Sequence, residues 1–484
     1  METCTNIVTR GGKNVEGKSI GVERESWGSQ FGFVMAAAGS AIGLGNIWRF
    51  PYMAGENGGG AFILIYLVAV ILIGFTVLLC EFAVGRGGQA NAISSFRKLV
   101  PGSAWWIAGA FGVMAALLIM SFYIVVSGWT MAYTWMTLSG QLTGVPAYQL
   151  QGIFLEYAAR PIAPIIWMGI FLAMTVAITA TGVKSGIERW NKILMPLVFI
   201  ILIVFMIRGL TLEGSSVGIN FLLQPDFSQV TGTVVLLALG QAFFSLSLGM
   251  GIMITYGSYL KRKENMATSA GTVAGLDTVV SIIAGLAIFP ALFVVGLDPA
   301  SGPGLVFMVL PAVFDSLPAG VLFGTLFFFL LAIAALTSAV SIFEVLVALI
   351  KEKFNLSRAF TATTVGIFIF FCGVTASLSW GPWSHITIPF PGLGDLSLFS
   401  FYDRLSALVM LPMAGLLTCL FVAWGWKFRN SIGEITNNGQ LSFVWLPVFK
   451  VMTGYVAPVV IFLVLLNGLG ILRIIGGWLG IGSN

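Results

Sequence analysis

Three acids sit inside long apolar runs: Glu81, Asp277 and Glu344. A carboxylate at membrane depth is costly to keep, so such a residue is a functional candidate by default. The run that holds Glu344 also carries two adjacent hydroxyls, Thr337 and Ser338. Two further segments mix glycine with polar side chains. One reads Gly39-Ser40-Ala41-Ile42-Gly43-Leu44-Gly45-Asn46, followed by Arg49-Phe50-Pro51. The other reads Phe244-Ser245-Leu246-Ser247-Leu248-Gly249-Met250-Gly251. Glycine tolerates unwound backbone, and unwound backbone exposes carbonyls. Carbonyl, hydroxyl and carboxylate oxygens together are the donor set that a hard cation prefers. Plainer readings compete at each position. Gly39-x-x-x-Gly43 also suits close helix packing, and a mid-helix Thr or Ser often bonds back to its own helix.

Other chemistries find no such grouping. The single histidine, His385, falls in a predicted loop, and no HExxH, Ser–His pair, phosphate loop or haem-ligand pattern stands out. The four cysteines, Cys4, Cys80, Cys372 and Cys419, form no CxxC, and three lie in apolar runs as small hydrophobes would. Charge rings or filter loops of a channel are not evident.

The elements that must hold these residues are membrane helices. Lys, Arg, Asp and Glu make up 9% of the 484 residues, while 58% are hydrophobic and 59 are glycine. A soluble domain carries roughly a quarter charged residues. The composition thus excludes an ordinary soluble enzyme, a disordered chain and a disulfide scaffold. A bilayer crossing needs about 20 apolar residues. Eleven runs are long enough: 28–54, 61–85, 104–138, 162–181, 188–209, 231–258, 268–297, 319–350, 360–379, 402–426 and 443–472. They are continuous rather than alternating, which selects helices over a barrel. The last run could be one long helix or two short ones.

Residues 1–26 are polar, lack a signal-peptide core and are expected to stay cytoplasmic. With that start, 19 of the 24 Lys and Arg residues fall on the cytoplasmic side, and Arg49, Arg160, Arg208, Arg404 and Arg473 fall outside. The positive-inside rule supports this orientation. The pI near 9.0 then reflects topology, not nucleic-acid binding. Eleven spans put the end of the chain outside.

The two glycine-rich segments lie about 205 residues apart, each near the start of a block of five spans. An odd number of spans inverts the second block relative to the first. Paired interruptions at corresponding positions of two repeats point to a transporter site at the membrane midplane. The expected fold class is all-α: two inverted five-helix repeats plus a peripheral eleventh helix, with helices 1 and 6 broken. The segments are a tail over 1–26, repeats over 27–210 and 230–427, helix 11 over 443–476 and a tail over 477–484.

At these residues the chain resembles the neurotransmitter:sodium symporter family, from which the paired-break rule itself was drawn. The resemblance rests on Gly39 through Pro51 with Glu56-Asn-Gly-Gly-Gly60, and covers roughly 22–430. Further matches are Glu81-Phe-Ala-Val-Gly-Arg86, Gln241 through Gly249, Ser258-Tyr259 and Leu336-Thr-Ser338. It implies two sodium sites. The first maps to Ala41 through its carbonyl, Asn46, Ser245 and Asp277. The second maps to the carbonyls of Gly39 and Ile42, with Ala334, Thr337 and Ser338. A chloride site of the family maps to Tyr66, Gln241, Ser245 and Ser281, but an ionised Asp277 would repel chloride there. Transport without chloride is therefore expected.

The resemblance also implies an amino acid substrate. Its carboxylate would meet N–H groups near Leu44 and Gly45 at a positive helix end, the Tyr123 hydroxyl and the first sodium. Its ammonium would meet carbonyls at the breaks, helped by Ser40, Ser245 or Ser247. Monoamine carriers of the family have an acid where this chain has Ser40, so a substrate with its own carboxylate is favoured. Ile119, Tyr123, Phe244, Met250 and Ile342 form an apolar side-chain pocket, with Ser338 alongside. Neutral hydrophobic L-amino acids fit it, and Met250 can adapt to several shapes. Arg49 with Asp403 would gate the outside. Arg24 with Glu352, helped by Trp27 and Tyr259, would gate the inside. Glu81 and Glu344 are read as hydrogen-bonded structural acids or as proton carriers. The expected location is the inner (plasma) membrane. The alternatives are the same fold coupled to protons or carrying another small zwitterion, and, further off, a channel or receptor.

Overall fold

The computed structural model describes residues 25–294, 296, 305–315, 318–391 and 393–472. Within them the chain is almost wholly helical. Nine helices are long and apolar enough to cross a bilayer: Gly60–Gly88, Trp106–Leu138, Ala163–Ala180, Val183–Leu210, Met266–Val294, Gly320–Phe354, Arg358–Leu378, Leu398–Gly425 and Leu446–Gly468. Two more spans are interrupted. The first is Gln30–Ala41 plus Gly45–Glu56, bent by 45°. The sixth is Gly232–Ser245 plus Ile252–Gly257. Numbered in chain order, these are spans 1 to 11. The last apolar run is one helix, not two.

Both interruptions fall where glycine and serine cluster. Span 1 opens with Ser29 capping the Gly32 N–H at 3.0 Å, a standard start signal. It stops when Ile42 turns to extended backbone, ψ 97°. In span 6 the chain passes through the left-handed region at Ser247, Gly249 and Gly251, with φ of 55°, 74° and 71°. Gly accepts that region freely; Ser does so at a cost.

Freed backbone groups at this depth need partners, and side chains from other spans supply them. Glu81 of span 2 accepts the Gly249 N–H at 2.7 Å. Gln241 donates to the Gly45 carbonyl at 2.9 Å. Ser247 donates to the Ser40 carbonyl at 3.0 Å.

Span 2 meets the second half of span 6 backbone to backbone. A methyl group on Gly85 would fall 2.0 Å from the Ile254 carbonyl oxygen, and one on Gly257 would fall 2.8 Å from that of Phe82. Spans 3 and 8, of 33 and 35 residues, pack along each other and back the two breaks. Shorter elements decorate the ends. They include the amphipathic helices Ala92–Leu99 and Phe428–Ile435, the helices Ala147–Ala159 and Ser216–Leu223, and a hairpin pairing Thr387–Phe390 with Gly394–Ser397. None of these has the length or continuous apolarity that identified the spans. His385 is exposed beside that hairpin.

Candidate functional site

The two breaks face each other across a small cavity. Its lining is Ser40, Ala41, Gly43, Leu44 and Gly45 from span 1, Ile119 and Tyr123 from span 3, Phe244, Ser247 and Met250 from span 6, and Ser338 and Ile342 from span 8. Of the residues the sequence offers for a substrate, only Ser245 is absent from this wall. Gly43 is an addition that motif reading passed over. A methyl group there would meet the Ser338 hydroxyl at 2.3 Å and the Tyr123 hydroxyl at 3.1 Å, so only glycine leaves the space open. The Tyr123 hydroxyl lies beside Ser338 and the Leu44 N–H without a well-aligned hydrogen bond to either. The Ser40 hydroxyl is likewise buried and unpartnered. The polar atoms gather at the breaks, and the remaining walls are apolar.

Beside the cavity, Asp277 of span 7 collects donors. Ser245 donates to its carboxylate at 2.5 Å, Asn46 at 2.7 Å and Tyr66 at 3.0 Å. Asn46 also reaches Ser281 at 2.9 Å, and its Oδ1 accepts the Gly43 N–H at 3.2 Å. Three spans thus converge on one fully buried acid. Of the four positions expected to hold chloride, Tyr66 and Ser245 give hydroxyl hydrogens to Asp277 instead. Ser281 bonds back to the Asp277 carbonyl at 3.1 Å, and Gln241 is engaged with Gly45.

A second oxygen cluster lies where span 8 crosses the first break. Ser338 donates to the carbonyls of Ser40 at 2.9 Å and Gly39 at 3.3 Å. Thr337 bonds back to the Ala334 carbonyl at 2.9 Å, the plainer role for a helical threonine. Ile42 is fully buried beside them.

The expected outer gate is arranged differently. No ion pair joins Arg49 to Asp403. The Arg49 guanidinium instead lies over the Phe244 ring, 4.5 Å from its centroid. Asp403 stands 3.9 Å from Arg404. At the opposite end, Arg24 lies outside the described residues. Glu352 accepts the backbone N–H and the side-chain amide of Asn91, both at 2.8 Å. Trp27 is locked in place: its indole donates to the Tyr256 carbonyl at 3.0 Å and its ring meets Tyr259 edge-on at 6.1 Å.

A network that the motifs did not suggest closes this end. The Tyr259 hydroxyl donates to Glu344 at 2.7 Å, and Arg358 pairs with the same carboxylate at 2.5 Å. Arg358 also reaches Glu25 at 3.1 Å, as does Lys351 at 2.6 Å. Burial pushes the Glu25 carboxyl up. Arg358, Lys351 and the Val183 N–H outweigh it and hold the group below its ordinary 4.5. Glu344 is therefore a paired acid. Glu81 has one oxygen on Gly249 and the other unpartnered.

Comparison with known proteins places these features in context. The model of the "Sodium:neurotransmitter symporter family" matches residues 24–146 and 162–474. A sodium-dependent transporter of Bacillus subtilis, YhdH, is 42% identical over 92% of this chain and 98% of its own. The rat sodium- and chloride-dependent GABA transporter 2 is 27% identical over 86% of this chain and 75% of its own. Among solved structures, MhsT in complex with L-phenylalanine is 47% identical, with a TM-score of 0.85 over 92% of this chain and all of that one.

Proposed function

Because the chain belongs to the sodium:neurotransmitter symporter family, and is thus a sodium-dependent membrane transporter, we propose that it imports neutral hydrophobic L-amino acids with two sodium ions and without chloride. The carrying observation is the cavity between the breaks. Its polar atoms sit at the two ends of interrupted helices, its side walls are apolar, and no acid lines it. That lining suits one amino acid whose own carboxylate supplies the negative charge. MhsT, bound to L-phenylalanine, supports an aromatic or aliphatic side chain.

Ala41, Asn46, Ser245 and Asp277 hold the first sodium in this reading. Gly39, Ile42, Ala334, Thr337 and Ser338 hold the second. The first ion touches the substrate carboxylate, so each binds more tightly with the other present. That mutual preference is the coupling free energy of symport. Asp277 already occupies the hydroxyl donors that a chloride would need, which supports chloride independence. Basic residues on one side support an inner-membrane orientation with the start of the chain inside. Alternating access then closes one end while opening the other. The Glu25–Arg358–Glu344–Tyr259 network closes the inner end, with Trp27 packed against it.

Uptake into proteoliposomes tests this reading. An inward sodium gradient should drive accumulation of radiolabelled phenylalanine or leucine with gluconate replacing all chloride. Unlabelled hydrophobic amino acids should compete, and glutamate, lysine and GABA should not. Equal uptake when potassium or a proton gradient replaces sodium would overturn it.

A further inference from the structure

Asn191 of span 5 carries a polar atom that no role so far uses. The residue is 1% exposed. Its side-chain nitrogen donates to the Ile187 carbonyl at 2.9 Å. A carbonyl only accepts, so this bond fixes which end of the amide faces which way. The oxygen therefore points the other way, toward span 1, where it has no hydrogen-bond partner. It reaches Gly39 so closely that a methyl group there would lie 2.1 Å from it. A buried acceptor left unmade costs free energy, and at membrane depth no bulk water relieves it.

Gly39 is the residue whose carbonyl the second sodium site uses. The geometry points to Asn191 Oδ1 as a further oxygen of that site, contributed by span 5 to an alkali cation otherwise held by spans 1 and 8. This inference rests on the second-site reading above. The chemistry fits: the other proposed donors there are neutral carbonyls and hydroxyls, and an amide oxygen is a hard, neutral donor of the same kind. The sulfur of Met195, which comes equally from span 5 and would lie 3.2 Å from a methyl on Gly39, is soft and unsuited to sodium. Gly39 is what lets the amide oxygen come in. With any larger residue, span 5 would be held away from the break.

The test is equilibrium binding of ²²Na⁺ to the purified full-length protein, with Asn191→Leu, Asn191→Asp and Thr337→Ala. Leucine keeps the volume and removes the oxygen; aspartate keeps the oxygen. Asn191→Leu should raise the half-saturating sodium concentration by roughly tenfold, the scale for losing a group that supports a bound metal. Asn191→Asp should retain tight binding, and phenylalanine affinity at saturating sodium should not change. Should the leucine variant fail to fold, Asn191→Ala takes its place with the same expectation. If removing the oxygen leaves sodium binding intact while Thr337→Ala weakens it, the role of Asn191 falls and the second site stands. If Thr337→Ala is also without effect, the second-site reading falls too. Equal weakening by leucine and aspartate would mean that Asn191 acts by packing alone, and would overturn the inference.

Discussion

Among single residues, Asp277 draws donors from three other spans. It receives three side-chain hydrogen bonds, from Asn46, Tyr66 and Ser245. In the proposed function, a carboxylate so placed would supply the fixed negative charge beside the first sodium. Asp277→Asn removes the charge and keeps the shape. Uptake in chloride-free medium should then fall by at least roughly tenfold, equivalent to about 1.4 kcal/mol. Added chloride should restore much of it. Uptake that stays independent of chloride in this variant would sink the charge argument. Asp277 was legible in the sequence because an acid inside an apolar run is rare and expensive. Asn191 was not. An amide in a helix is unremarkable until the packing of span 5 brings its oxygen against Gly39. Gly43 was visible as part of a motif, but its purpose, making room between Ser338 and Tyr123, is a matter of distances.

At the scale of elements, both broken spans were legible because glycine and serine cluster where the backbone must leave the helix. The gates were less so. Arg49 and Asp403 were paired by analogy, yet Arg49 rests on Phe244, and Asp403 has Arg404 nearby. Glu344 and Arg358 are fourteen residues apart and belong to different helices, so only the turn between spans 8 and 9 brings them together. Their link through Glu25 ties the foot of span 1 to span 9, while Lys351 ties it to span 8. The Glu25 carboxyl is held below its ordinary value. Its contribution to stability is therefore present above pH 4.5 and is lost as pH falls through the lower folded-state value. Glu25→Gln should lower the melting temperature at pH 7. The gap from the unmodified protein should shrink progressively once the pH drops below about 4.5. A gap that is constant across that window would show that the charge of Glu25 contributes nothing.

At the scale of the whole molecule, the eleven spans were the most legible feature. A bilayer demands about 20 apolar residues per helix, and little else in a sequence looks like that. The amphipathic helices Ala92–Leu99 and Phe428–Ile435 were missed because their length and polarity suit a surface, not a span. The lopsided distribution of Lys and Arg implies the orientation. A protease-cleavable tag at residue 484 should be cut in right-side-out vesicles, and one at residue 1 should be cut only after the membrane is opened. The reverse pattern would overturn the proposed orientation.

One contact constrains how such a molecule can move. Gly85 and Gly257 bring spans 2 and 6 together main chain to main chain, with no side chain between them to act as a bearing. Surfaces joined in that way share a single rotation. Glu81, bonded to Gly249, carries the same join up to the break itself. A tilt of the second half of span 6 would then carry span 2 with it as one unit, so the two would move together wherever alternating access opens the cavity.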